Sequence, residues 1–424
     1  MVKSRKILVW FRNDLRLHDN EMLVEAIAKS DSILPVYFFD PRHFEGNSEH
    51  QNKSGLIRTQ FLIQSLYALR KSFEALNGNI LILQGRPEDH IPALVQQYDI
   101  AEVYHHREVA PADTEVSANV EDRLWKLKIN LKHFIGHTLY NKEDLPFPIK
   151  DIPDVFTLFK KKTERDAIIK ACFPAPQEII FAESENWGDI PTLNVLYPDT
   201  VIADLPSDLH GGEQEGLQHL DAILAAGSSI YLKGNKGPDK TMYVSRLSPW
   251  LSVGCLSPRQ VYWCVKSAEE RNGSNPNFNQ IFLGLLWRDY YRFMFKKHGI
   301  GFIKTALDQL NELSEVSDEE ILLDQWKSGM TGHTLVDALM LELNSSGFIS
   351  YQGRTLVATF LIHVLKLDWT KGAIYFEEKL VDYAPASNWG NWGRIAESAN
   401  EPKPKNAFDI EKTLKFLASF DLVN

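Results

Sequence analysis

Cysteine is scarce in this chain: three residues in 424, at Cys172, Cys255 and Cys264. Their wide spacing supplies neither a disulfide framework nor a paired metal-ligand motif, so the expectation is free thiols in a reducing, cytoplasmic setting and no metal. No apolar run approaches the roughly 20 residues of a membrane span, and Ile7–Phe11 is too short for a secretory h-region, so neither a membrane nor a targeting signal is expected. Positive charge is also short. Lys and Arg number 46 against 56 Asp and Glu, a net charge of −10. Duplex binding displaces counterions with clustered cations, and this balance predicts weak or absent nucleic-acid binding. A Gly-x-Gly-x-x-Gly loop is missing, which argues against a dinucleotide-binding Rossmann domain. Internal repeats and low-complexity tracts are missing as well.

What the chain does have is order in its patterning. Apolar residues make up 44% and aromatic residues 11%, enough for a large core, and the length suggests two domains. Ile7–Phe11, Ile33–Phe39, Ile80–Leu83 and Val103–Tyr104 read as strands buried on both faces. Glu21–Ala28, Leu56–Leu76 and Asp113–Leu127 read as the helices between them, and this alternation predicts an α/β, doubly wound parallel sheet over residues 1–135. A proline-punctuated connector follows over 136–205, where long regular elements are not expected. From 206 to 424 the periodicity is helical, which predicts an all-α second domain.

Ser245-Arg246-Leu247-Ser248, followed by Pro249 at a helix start, offers hydroxyls, backbone donors and a cation in the combination a pyrophosphate requires. The same residues also suit an ordinary helix cap. Near the C-terminus, Asp382 through Asn388-Trp389-Gly390-Asn391-Trp392 packs an acid, an amide and two indoles into eleven residues. Indoles are bulky core residues, so packing is the default role of any single one.

Taken together, these segments resemble the cryptochrome/photolyase family and, within it, the DASH-type cryptochromes. Trp10 through Asn20 is similar to the opening of the family's antenna domain. His137–Tyr140, Asp144–Phe147 and Pro153–Thr157 are similar to the DASH branch, and Leu285–Arg292 joins the resemblance in the helical part. The resemblance implies FAD in the helical domain, held by Tyr231, Ser245, Arg246, Leu247, Ser248, Arg288, Arg354, Asp382 and Asn388. Arg354 and Asp382 match a pair beside the flavin ring, and Asn388 matches the amide facing the flavin N5. Glu108 matches an acid that holds a folate (methenyltetrahydrofolate) antenna. Trp392 and Trp369 match the first two members of an electron-hopping chain that reduces excited flavin, while the third position falls on Val316.

The lesion-binding shell implied by the resemblance is altered. Trp287 keeps its identity, but Asn235, Gly284, Tyr351, Gln352 and Arg394 stand where the family has other residues, and Ala384 replaces an acid two residues after Asp382. The leading expectation is therefore a blue-light photoreceptor without DNA repair activity, acting on a signalling protein. A deoxyribodipyrimidine photolyase working on single-stranded DNA remains open, as does a cofactor-free interaction scaffold.

Overall fold

The computed structural model describes residues 4–46, 53–202, 205, 208–226, 245–303 and 318–397. Five strands, β1 (Lys6–Phe11), β2 (Ser32–Phe39), β3 (Leu81–Gln84), β4 (Ile100–His106) and β5 (Asn130–Phe134), form one sheet in the order β3-β2-β1-β4-β5. Every pairing is parallel, with Ile7 opposite Ile33 and Leu8 opposite both Leu34 and Val103. Side chains alternate across a strand, and the two faces are covered separately. Leu8 and Trp10 of β1 pack with Ile91, Leu94 and Leu124 from α3 (Pro87–Tyr98) and α4 (Pro111–Lys126). Ile7, Val9 and Phe11 pack with residues of α1 (Glu21–Lys29) and α2 (Leu56–Glu74), in a core continuous with the helical half. The doubly wound α/β expectation matches this architecture.

The connector holds one three-turn helix, α5 (Phe156–Asp166), and a single turn, α6 (Leu193–Leu196). Proline spacing predicted less regular structure than this. The stretch from Phe156 to Asp166 is free of proline, so nothing prevents a helix there.

The helical half contains α7 (Glu213–Ala226), α8 (Ser248–Ser252), α9 (Pro258–Asn272), α10 (Pro276–His298), α11 (Glu319–Ser328), α12 (Thr334–Ser346), α13 (Tyr351–Thr359), α14 (Trp369–Lys379) and α15 (Pro385–Glu397). Local chemistry sets several starts. Ser257 caps α9 and Asn275 caps α10, each followed by proline at the first helical position. Among the described residues, no helix is long and apolar enough to cross a membrane.

Buried polar contacts fix the two halves against each other. The Arg16 guanidinium is fully buried and donates to the carbonyls of His18, Asp19, Gly136 and Gly254. Asp19 takes Arg259 of α9 through two bonds, at 2.6 and 3.0 Å. Asp289 of α10 accepts the backbone N–H groups of Leu139 and Tyr140 at 2.9 and 3.0 Å. Burial is the main influence on that carboxyl and pushes its pKa up to about 7.

Candidate cofactor site

Arg354, one turn into α13, donates through Nη2 to both oxygens of Asp382, at 2.9 and 2.8 Å. Asp382 is buried, and an unpaired carboxylate there would be costly, so the pair forms as a unit. Asn388 on α15 is also buried and donates from Nδ2 to the Ala373 carbonyl at 3.0 Å. Arg354, Asp382, Asn388 and Trp392 line one small cavity of about 60 Å³. The structure thus brings Arg354 together with three residues of the 382–392 segment.

Glycine makes this assembly feasible at two points. A Cβ on Gly372 would lie 2.3 Å from the Trp392 ring, and one on Gly390 would lie 2.4 Å from the Tyr291 ring. Neither distance is attainable for a real side chain, so only glycine lets α14 and α15 close on these aromatics.

The proposed phosphate segment lies next to this cluster. Arg246 has φ +50°, a left-handed conformation that costs about 1–2 kcal/mol for a residue other than glycine. Its guanidinium sits 5.3 Å from the Phe348 ring centre, and that of Arg354 sits 5.2 Å from the same ring. Phe348, which the sequence reading missed, therefore joins the two predicted halves of the site. Arg246 meets a carboxylate only at 3.3 Å, from the exposed Asp208, and Asp382 is already taken by Arg354. Asp208 is exposed, so its pairing with Arg246 is a weak surface contact that a phosphate can displace, and the Arg246 guanidinium suits a pyrophosphate. Ser245 accepts His219 through its carbonyl, Leu247 is buried, and Ser248 begins α8. Tyr231 lies outside the described residues, as do Asn235 and Val316.

Arg288 does not face this cavity. It donates to the His137 and Leu251 carbonyls, and burial lowers its pKa to about 10. Its visible role is to tie α10 to the connector. Glu108 is likewise engaged, accepting Asn13 at 3.0 Å and Arg292 at 2.9 Å, with His137 at 3.4 Å. Burial works against its charge, but the facing His137 and Arg292 hold the carboxyl well below the usual range.

The indoles fall into two groups. Trp392 meets Phe376 at 5.1 Å and Trp326 at 6.3 Å. Trp369, at the start of α14, meets Trp389 edge-on at 5.7 Å. Trp392 lies against Gly372, three residues beyond Trp369 on the same helix.

Two groups pack on Trp287, which is partly buried. Phe156 of α5 stacks on one face at 3.5 Å and 10°, and the Arg394 guanidinium lies 5.4 Å from the ring centre. Tyr351 and Arg394, both at altered lesion positions, bond to each other at 2.5 Å. Gly284 is exposed, with open space where a Cβ would be.

A second and larger cavity, about 560 Å³, opens between the two halves. Trp10, Arg12, Tyr37 and Asp40 line it at the carboxyl ends of β1 and β2, facing Glu377, Tyr383 and Trp389. Open α/β sheets bind ligands at such strand ends.

Comparison with known proteins decides the kinship. Residues 7–177 match the family model of DNA photolyase, and residues 282–422 match the FAD binding domain of DNA photolyase. A cryptochrome DASH from Gloeobacter violaceus is 37% identical over 97% of this chain and 83% of its own length. The chain belongs to the cryptochrome/photolyase family, among the DASH cryptochromes. The Synechocystis cryptochrome structure superposes with a TM-score of 0.87 at 36% identity, covering 100% of this chain and 88% of that one. An archaeal photolyase from Sulfolobus tokodaii, solved with two FAD molecules, gives 0.76 at 25% identity over 98% of this chain and 88% of that one.

Proposed function

We propose that this DASH-family protein carries FAD between Arg246 and Asn388 and works as a blue-light photoreceptor without DNA repair activity. Bound FAD supplies the chromophore and the electron acceptor. The protein's own residues would do the rest. Arg246 and the 245–248 backbone neutralise the pyrophosphate, the Arg354–Asp382 pair borders the ring, and Asn388 presents its amide oxygen to it. Trp392 and Trp369 supply electrons.

The observation that carries the non-repair reading is the packing of Phe156 and Arg394 on Trp287. Phe156 stacking is worth about 0.5–1.5 kcal/mol, and the Arg394 contact about 0.5–1 kcal/mol or more. A flipped base gains roughly 1–3 kcal/mol by stacking. Exchanging one set for the other yields almost nothing, so the cost of flipping is not recovered. The net charge of −10 works in the same direction. The second reading, a photolyase acting on single-stranded DNA, keeps the retained Trp287 in its favour.

A folate antenna suits the 560 Å³ cavity better than Glu108, whose oxygens are already bonded. The three unpaired cysteines accord with a reducing cytoplasm. Light-driven change would be read by a signalling protein.

The direct test of the cofactor is the supernatant of heat-denatured protein, which should contain FAD at close to one per chain. A colourless protein that cannot be reconstituted would leave the scaffold reading in its place.

A further inference from the structure

The electron path predicted from sequence runs through Trp392 and Trp369, and its third position at Val316 carries no indole. Among the described residues, two aromatic branches are available, one in ring contact with Trp392 and one beginning at Trp369, the next member of that path. One passes through Trp326 to Tyr375, whose rings lie 5.8 Å apart. This branch is a poor sink. The Lys327 and Lys379 ammonium groups sit 5.7 and 5.4 Å from the Tyr375 ring, which penalises positive charge there. The Tyr375 hydroxyl donates to an amide oxygen of Asn344, and Trp326 Nε1 donates to the Val357 carbonyl. Neither acceptor is a base that could take a proton.

The other branch also ends at a tyrosine beside a cation, but it has a carboxylate facing that tyrosine's hydroxyl. Trp369 meets Trp389 at 5.7 Å. Trp389 in turn makes a polar contact with the Tyr383 hydroxyl, which also faces the Glu377 carboxylate. Glu377, Tyr383 and Trp389 all line the 560 Å³ cavity. The Arg58 guanidinium lies 4.8 Å from the Tyr383 ring, so a radical cation on that ring is disfavoured. Tyrosine oxidation there must release the proton together with the electron, and the neighbouring carboxylate can accept it.

We propose that Trp389 and Tyr383 complete the electron path, with Tyr383 as the terminal donor and Glu377 as its proton acceptor. The proposal rests on the flavin reading above. Trp392 would give one electron to the photoexcited flavin, which is the oxidant. The hole moves to Trp369 and then to Trp389 by electron transfer alone. Tyr383 then gives one electron to Trp389 and its phenolic proton to Glu377, leaving a neutral tyrosyl radical and a neutral glutamic acid. While the cavity holds water, a small thiol reaches Tyr383 there. It returns a hydrogen atom to the phenoxyl oxygen and becomes a thiyl radical, and Glu377 releases its proton to water.

The experiment is flash photolysis of the flavin-bound full chain without thiol, with radical identity read by transient absorption and by electron paramagnetic resonance on protein grown with ring-deuterated tyrosine. The expected result is a tryptophanyl signal that converts to a tyrosyl signal narrowed by the label. Tyr383→Phe should lose the tyrosyl signal, Glu377→Gln should lose most of it while keeping the phenol, and Tyr375→Phe should keep it in full. Should Tyr383→Phe fail to fold, the labelled wild type and Glu377→Gln still decide. A tyrosyl signal unchanged in Tyr383→Phe or Glu377→Gln, or a wild-type radical that stays on tryptophan, overturns the proposal. A colourless protein removes the flavin reading and this one together, whereas a yellow protein without the tyrosyl signal removes this one alone.

Discussion

Arg394 donates to the Tyr351 hydroxyl at 2.5 Å, so two residues standing at family lesion positions bond to each other. With Phe156 stacked on it and Arg394 beside it, Trp287 is already engaged and only partly exposed. Arg394→Ala should expose more of Trp287. Acrylamide quenching of tryptophan fluorescence should rise in that variant, and the rise should vanish in a Trp287→Phe background. Equal quenching in Arg394→Ala and wild type would mean that the guanidinium does not cover the ring.

Arg246→Ala should weaken flavin retention. Loss of one charge-assisted contact costs about 1.5–3 kcal/mol, which corresponds to roughly a 10- to 150-fold rise in Kd. Equilibrium dialysis against FAD gives the number. An unchanged Kd would move the pyrophosphate away from the 245–248 segment.

Asp289→Asn tests the clamp between α10 and the connector. Because the carboxyl titrates near 7 when folded and near 4 when unfolded, the folded state binds the extra proton in that window. Its contribution to stability therefore falls as pH rises from about 4 to about 7, by about 4 kcal/mol at most. The asparagine variant should show a flatter stability profile over that range. At pH 5 it should be less stable by about 1–3 kcal/mol, since one carbonyl oxygen replaces two acceptors for two N–H groups. Urea unfolding across the pH range measures both effects.

Gly284→Glu should fold normally, because nothing lies within 4 Å of the added Cβ. It should nevertheless fail to gain repair activity, since Phe156 and Arg394 still pack on Trp287 and Tyr351 still holds Arg394. Repair by this single variant would place the whole defect at Gly284.

The sheet was legible where strands are continuous apolar runs, as in β1 and β2, which are buried on both faces. Strand β5 was not, because Asn130–Phe134 mixes polar and apolar residues at a sheet edge. Helix α3 carries an internal proline, Pro92, which obscures its period. At the site, Arg354, Asp382 and Asn388 were readable from motif resemblance alone. Phe348 and Phe156 were not, since their roles come from long-range ring contacts that leave no local pattern. The burial of Arg16 carries no local signal in the sequence. Its burial depends on four carbonyl acceptors, two of them far away in sequence.

The account turns most directly on illumination of the fully reduced, flavin-loaded protein with a single-stranded oligonucleotide containing a cyclobutane pyrimidine dimer, followed by the recovery of thymine absorbance. The engaged Trp287 and the altered positions around it predict no recovery above that of an illuminated sample without protein. Repeated turnover at the rate of a working photolyase would contradict the account and make this chain a repair enzyme.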